Sequence, residues 1–227
     1  MSIEAIRQQI ASGKVKVPVP ITVVETGILS HGNTQYHIQT GVNPELAIWC
    51  DDKWKGFFDS IIERLKQMPH EDYIREAQGL QFGGYHWNWF NKSIHFKDES
   101  KVWFYLIIEN EVQGICIISH PSGAKLEAGE VFYIEYLSSA PWNTTNPLAP
   151  KRYTGIGTTL MQCAISYGVN TLKLKYGFNL HAIRQAEGFY EKIGMKHISE
   201  HDKTESTGAV LKFYEITAEA TRALITS

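Results

Sequence analysis

Cysteine is scarce, with three in 227 residues at Cys50, Cys116 and Cys163. They stand singly and far apart, so neither a disulfide framework nor a zinc knuckle is expected. A reducing cytoplasm is the simplest compartment. Long apolar runs are also missing: the longest, Val102 to Ile108, is seven residues, against the roughly 18 needed for a membrane span. The first thirty residues carry no basic stretch leading into an apolar segment, and Pro18 and Pro20 interrupt the nearest candidate. Nor is there an excess of charge of either sign. Twenty-two Lys and Arg face 24 Asp and Glu, which leaves no footprint for general nucleic-acid binding and disfavours a transfer RNA partner. No metal site, repeat or low-complexity tract is expected.

What is present is an apolar and aromatic chain. Hydrophobic residues make up 43% and aromatics 12%, enough for a substantial core and an aromatic-lined cleft. At about 150 residues per domain the length fits one domain with an extension. Val19–Leu29 and Thr34–Thr40 read as a strand pair joined by the turn residues Ser30-His31-Gly32-Asn33. Trp54, Phe57, Phe58, Ile61, Ile62 and Leu65 form one stripe at helical period, with Asp51 or Asp52 as cap and Pro69 as stop. A short helix is expected over 71–78, then a pivot at Gly83-Gly84 joined to an aromatic cluster, Tyr85 to Phe90. Strands follow at 102–109, 113–119 and 130–138, the third apolar on both faces except for Glu135, as in a central strand. After a proline-rich loop come a helix from Gly155 to about Tyr167, a strand at 171–176, a helix at 182–193 and strands at 195–199 and 209–216. The expected class is α/β, a sheet flanked by helices.

One loop carries chemistry. Arg152-Tyr153-Thr154-Gly155-Ile156-Gly157-Thr158-Thr159 lies between the buried strand and a helix. Two glycines let the backbone approach closely, and a helix start offers unpaired N–H groups with partial positive charge, a site for phosphate. Lys151 adds charge beside it. The loop is not a Walker loop and lacks the third glycine of the dinucleotide fingerprint.

Arg152-x-x-Gly155-x-Gly157 resembles the coenzyme A pyrophosphate loop of the GNAT superfamily of N-acetyltransferases. Ala186-x-x-Phe189-Tyr190-x-x-x-Gly194-Met195 is similar to that family's second signature, and Leu137-x-x-x-Pro141 to the end of its fourth strand. Ala140-Pro141-Trp142-Asn143 and Leu180-His181-Ala182 are similar to segments of a bacterial subgroup. The resemblance spans about residues 100–217 and implies a mixed, mostly antiparallel central sheet with helices on both faces. It divides a single structural domain into an N-terminal extension and hairpin packed on the core (1–43), a variable helical and aromatic substrate-side segment (44–100) and an acetyl-CoA-binding core (101–217). Two departures stand out. Pro141 to Arg152 is eleven residues, so an insertion of some eight residues, Thr144 to Lys151, borders the cofactor entrance, and Ile183 stands where the family often has asparagine.

The resemblance implies direct acetyl transfer from acetyl-CoA to a primary amine, on a small molecule or a peptide, without metal. It assigns the cofactor to Leu137, Ser138 and Ser139 and to the loop Arg152, Tyr153, Thr154, Gly155, Ile156, Gly157, Thr158 and Thr159. The Leu137 N–H would face the thioester oxygen. Tyr190 is the expected general acid. A thiol (pKa about 8.5) is a stronger acid than a phenol (about 10), so its role is chiefly hydrogen-bond donation; the plain alternative is a packed aromatic. Glu135, a carboxylate on an apolar strand, is the expected base; the alternative is a buried ion pair with Lys or Arg. His120 and His181 are further base candidates. Tyr85, Trp87, Trp89, Asn143 and His181 are the expected substrate contacts, although core packing is the simpler account of the aromatics. Cys163 is expected on the buried side of its helix and is not read as a nucleophile. The rival class is a non-catalytic acyl-CoA-binding or interaction module. An apolar sheet with an extra hairpin fits a homodimer.

Overall fold

The computed structural model describes residues 2–17, 22–29, 33–80, 84–146 and 148–226. The turn Ser30–Gly32, the start of the first strand at 19–21 and the pivot residue Gly83 lie outside these.

Nine strands form the sheet among the described residues: β1 (Thr22–Ile28), β2 (Gln35–Thr40), β3 (Lys101–Ile108), β4 (Glu111–Gly123), β5 (Glu130–Ser139), β6 (Phe178–Ala182), β7 (Lys196–His197), β8 (Lys203–Thr204) and β9 (Val210–Ile216). They run in the order β1-β2-β3-β4-β5-β6-β9-β7, with β8 on β9. Every pairing is antiparallel except that of β5 with β6. Period-two alternation sorts the side chains of β3. Trp103, Tyr105 and Ile107 face one helical layer, and Phe104, Leu106 and Ile108 face the other. The fold is thus the mixed, mostly antiparallel sheet with helices on both faces that the sequence implied.

On one face lie α1 (Ile3–Ala11), α2 (Pro44–Lys66), α3 (His70–Gln78) and α4 (Trp89–His95). α2 begins seven residues before Asp51. Asn43 caps it by accepting the N–H groups of Glu45 and Leu46, each at 3.1 Å, with Pro44 in the first turn. Asp51 and Asp52 are therefore interior to the helix and do not cap it. Asp51 instead reaches α4, where its carboxylate accepts the N–H of Trp89 at 2.6 Å and of Phe90 at 3.0 Å. Burial pushes the Asp51 carboxyl above the ordinary range, against these bonds.

On the other face α5 (Ile156–Asn170) fills the main core with Leu160, Met161, Ala164 and Ile165. α6 (Glu187–Lys192) and α7 (Ala218–Thr226) complete that layer. Gly114 on β4 permits the close approach of α5. A β-carbon there would stand 2.6 Å from Ile156 Cγ2 and 2.8 Å from Leu160 Cδ1.

Two expected elements differ. Residues 171–176 are not a strand: Leu172, Leu174 and Tyr176 pack on the core from an irregular segment in which Lys173 has φ +60°. The strand begins only after Gly177. The expected helix 182–193 is split, because Ala182 still pairs with Lys212 in the sheet. A 3-10 turn, Arg184–Ala186, then leads into α6.

Candidate active site

The sheet opens at one point. The parallel pairing of β5 with β6 runs from Phe132↔Phe178 to Ile134↔Leu180 and stops. β5 continues to Ser139 paired with β4 alone, and β6 to Ala182 paired with β9. The N-terminus of α5 shares one cavity with this end of β5. Gly155, at φ +82°, turns the chain into the helix, a conformation glycine adopts without strain. No side chain among the described residues caps α5, so its first N–H groups are left for a ligand. A β-carbon at Gly157 would meet only Ser139 Oγ, at 4.0 Å. The loop is therefore open above its second glycine.

A cavity of about 460 Å³ connects this loop to the aromatic cluster. Leu137, Ser138, Ser139, Tyr153, Thr154, Gly155, Ile156, Gly157 and Thr158 line one end, with Ile183 and Tyr190 beside the split. Trp54, Tyr85, Trp87 and Trp89 line the other. Thr144, Thr145 and Lys151 of the insertion form part of the rim. All the backbone positions expected at the cofactor are brought together except two. The Arg152 guanidinium turns away, 4.7 Å above the Trp142 ring and 3.6 Å from Glu111. The Thr159 N–H already donates to Gly155 O at 2.9 Å, and neither residue lines the cavity.

Tyr190 is 8% exposed and lines the cavity. Its hydroxyl has no hydrogen-bond partner among the described residues, and burial pushes the phenol above its ordinary pKa. It is thus a protonated donor with an open position. Glu135 does not line the cavity. Its carboxylate accepts Lys101 Nζ at 3.0 Å and the Ser119 hydroxyl, the ion pair that was the alternative reading of this residue. His181 is likewise engaged outside the cavity. The carbonyl of His201 accepts from Nε2 at 2.8 Å, so Nδ1 receives the Tyr133 hydroxyl at 2.7 Å. Burial lowers the His181 pKa.

Asn143 borders the cavity, but its side chain is occupied within the protein. Nδ2 donates to Gln113 Oε1 at 3.0 Å, and Oδ1 accepts the Tyr153 N–H at 3.0 Å. Gln113 escaped the sequence reading, as did the place of Trp54 on the cavity wall. The indole N–H of Trp54 is buried without an acceptor among the described residues, which costs about 1–3 kcal/mol unless a ligand or water answers it. Trp54 was legible as a core position, but nothing in the sequence marks an unanswered donor.

Among the described residues no group of three or more His, Cys, Asp or Glu is placed to hold a metal ion. His197 and His201, four apart, fall on a two-residue strand and a 3-10 turn. They share no helix face, and His197 pairs with Asp202 at 2.9 Å. No helix among the described residues is long and apolar enough to cross a membrane.

No family model matches the sequence, and no curated protein does. Solved structures that resemble this chain are found. A Desulfovibrio desulfuricans protein assigned to the GNAT family of acetyltransferases is 13% identical, covering 81% of this chain and 99% of its own, with a TM-score of 0.46. An uncharacterized Bacillus halodurans protein is 9% identical, covering 89% of this chain and 94% of its own, at 0.49. A Bacillus anthracis protein assigned as a streptothricin acetyltransferase, solved with acetyl coenzyme A, is 15% identical, covering 54% of this chain and 67% of its own, at 0.39. No residue role transfers across such distances. The functional reading stands on the loop and the split.

Proposed function

We propose that this protein is an acetyl-CoA-dependent N-acetyltransferase acting on a primary amine. The observation that carries the reading is the uncapped N-terminus of α5, opened by Gly155 and Gly157 and lining one cavity with the end of β5 beyond its pairing with β6. The donors there suit a diphosphate, and the split leaves the β6-facing edge of Leu137–Ser139 unpaired for an extended arm. Bound acetyl-CoA would supply an activated acyl group and a thiol leaving group.

The chain's own residues have separable tasks. The N–H groups of Ile156, Gly157 and Thr158 bind the diphosphate, and Lys151 adds charge at the rim. Leu137 offers its backbone to the thioester oxygen. Tyr190, held in apolar surroundings with a free hydroxyl, donates its hydrogen bond toward the departing sulfur. Glu135 fixes β5 through Lys101 and Ser119, and proton acceptance by that carboxylate is a matter for its variant. Arg152 packs the insertion and contributes no side chain to the cofactor.

Calorimetric titration with coenzyme A and thiol release from acetyl-CoA across a panel of amines test the reading. Binding with amine-dependent thiol release is expected. Binding without turnover on any amine favours the non-catalytic module, and absence of binding removes the reading altogether.

A further inference from the structure

We infer that the tryptophan-walled end of the cavity is an acceptor subsite selecting a primary amine borne on an aromatic or other flat apolar body that carries one hydrogen-bond-accepting atom. The inference names the acceptor for the activity proposed above and rests on that reading for its chemistry, but the binding it predicts is independent of cofactor.

Three observations carry it. The walls are aromatic faces and edges set at right angles: Trp54 stands edge-on to Trp89 at 5.7 Å, and Trp87 to Trp89 at 5.6 Å. Such walls favour a flat ring and accept a cation on their faces. Trp54, 5% exposed, lines this end, and its buried indole N–H has no acceptor among the described residues. A buried donor without a partner selects a guest that supplies one. The acidic groups are already engaged. Both Asp51 oxygens accept backbone N–H groups of α4, and Asp59, outside the cavity lining, is bound by Lys55 at 2.7 Å and Tyr85 at 3.0 Å. With Lys55 and Lys151 on the cavity wall, a polycation finds no uncommitted carboxylate and two ammonium groups.

The same aromatic cluster already holds one amine. Lys92 Nζ lies 3.6 Å above the Tyr136 ring and 5.8 Å from that of Trp87. Burial pushes its pKa down to about 8, although Asp51 and Glu135 act in the opposite direction. Lys92 does not line the cavity, but a guest amine beside Trp87 would share that ring with it, and burial there acts on an amine's pKa in the same direction.

The test titrates the protein, without cofactor, with 4-methoxyphenethylamine, its 4-ethyl counterpart, spermidine and kanamycin, and titrates coenzyme A separately. The methoxy amine is expected to bind about tenfold or more tighter than spermidine or kanamycin. It should also bind about three- to tenfold tighter than the ethyl compound, through the Trp54 donor. Trp54→Phe should bring the methoxy and ethyl compounds within about twofold of each other without changing coenzyme A affinity. Should that variant misfold, Trp87→Leu is expected to weaken both aromatic amines about fivefold or more. Equal or tighter binding of spermidine, or an unchanged methoxy-to-ethyl ratio in Trp54→Phe, overturns the subsite. Amine selectivity as expected with no coenzyme A binding upholds the subsite and removes the transferase reading; coenzyme A binding without selectivity does the reverse.

Discussion

Gln113 and Asn143 hold each other amide to amide, Asn143 Nδ2 standing 3.0 Å from Gln113 Oε1. The pair joins β4 to the segment that enters the long loop. The Trp142 indole also donates to Gln113 Oε1 at 2.7 Å, and the Arg152 N–H returns to Trp142 O at 3.0 Å. With Asn143 accepting the Tyr153 N–H, both ends of the insertion are tied at one buried point. The inserted residues thus leave Tyr153 to Gly155 in place. Asn143→Ala strands the Tyr153 N–H and removes one of the two donors to Gln113 Oε1, and a loss of about 1–3 kcal/mol in denaturant unfolding is expected, together with weaker coenzyme A binding. Unchanged binding in the variant would mean that the loop holds its shape without this tie.

Gly157→Ala separates stability from binding. Its β-carbon meets no protein atom closer than 4.0 Å, and alanine replaces glycine inside a helix. Stability is expected to hold or rise by about 0.5–1 kcal/mol. Because the methyl group occupies the space above the free N–H groups, coenzyme A affinity should fall about tenfold or more. A variant that binds coenzyme A like the wild type would locate the diphosphate elsewhere.

The part of the site that was legible in the sequence is the part governed by local chemistry. Gly155 and Gly157 announce a tight turn into a helix, and Glu130–Ser138 announces a buried strand, because both depend on residues near one another in the chain. The misreadings have the opposite origin. Leu172, Leu174 and Tyr176 alternate as a strand would, yet Gly177 and the partner β9 decide where the sheet begins. Asp51 looked like a helix cap because its true destination, α4, lies 38 residues on. Arg152, assigned by motif, places its guanidinium on Trp142 and near Glu111, contacts that lie far from it in the chain, and coenzyme A titration of Arg152→Ala tests the assignment.

Tyr190 and Glu135 make different demands on kinetics. Tyr190→Phe removes only a hydroxyl without an internal partner, so folding should be unaffected while kcat falls about 10²-fold or more. Glu135→Gln disturbs the contacts with Lys101 and Ser119. A loss of about 1–3 kcal/mol of stability is expected, with kcat within about tenfold of wild type, below the usual effect of removing a general base. A much larger loss of turnover in Glu135→Gln would restore the carboxylate as the proton acceptor.

Gly114→Ala probes the seat of the loop from beneath. The added carbon would press on Ile156 and Leu160 of α5 and stand 3.1 Å from Ser138 O. Overpacking of this kind costs about 1–3 kcal/mol. Because Ile156 opens the helix, coenzyme A binding should weaken in step with stability. A variant as stable as the wild type would show that α5 can lift from the sheet at little cost.

Lys92 gives stability a pH dependence whose sign is set by its burial. Its pKa is lowered from 10.5 to about 8 in the folded protein, so between those values the unfolded chain binds the proton more tightly. The contribution of Lys92 to stability therefore rises with pH across that window and is lost as pH falls through the folded value. Below about pH 8 the charged amine is carried at full penalty. Since the side chain keeps part of its solvent contact, that penalty is about 1–2 kcal/mol after allowance for screening. Lys92→Met is expected to be more stable than the wild type by that amount at neutral pH. Urea unfolding at intervals up to about pH 9.5 should show the advantage shrinking as the wild-type amine loses its proton. A difference that stays constant over that range would mean the amine is not held in an apolar setting, and would withdraw the comparison of Lys92 with an acceptor amine beside Trp87.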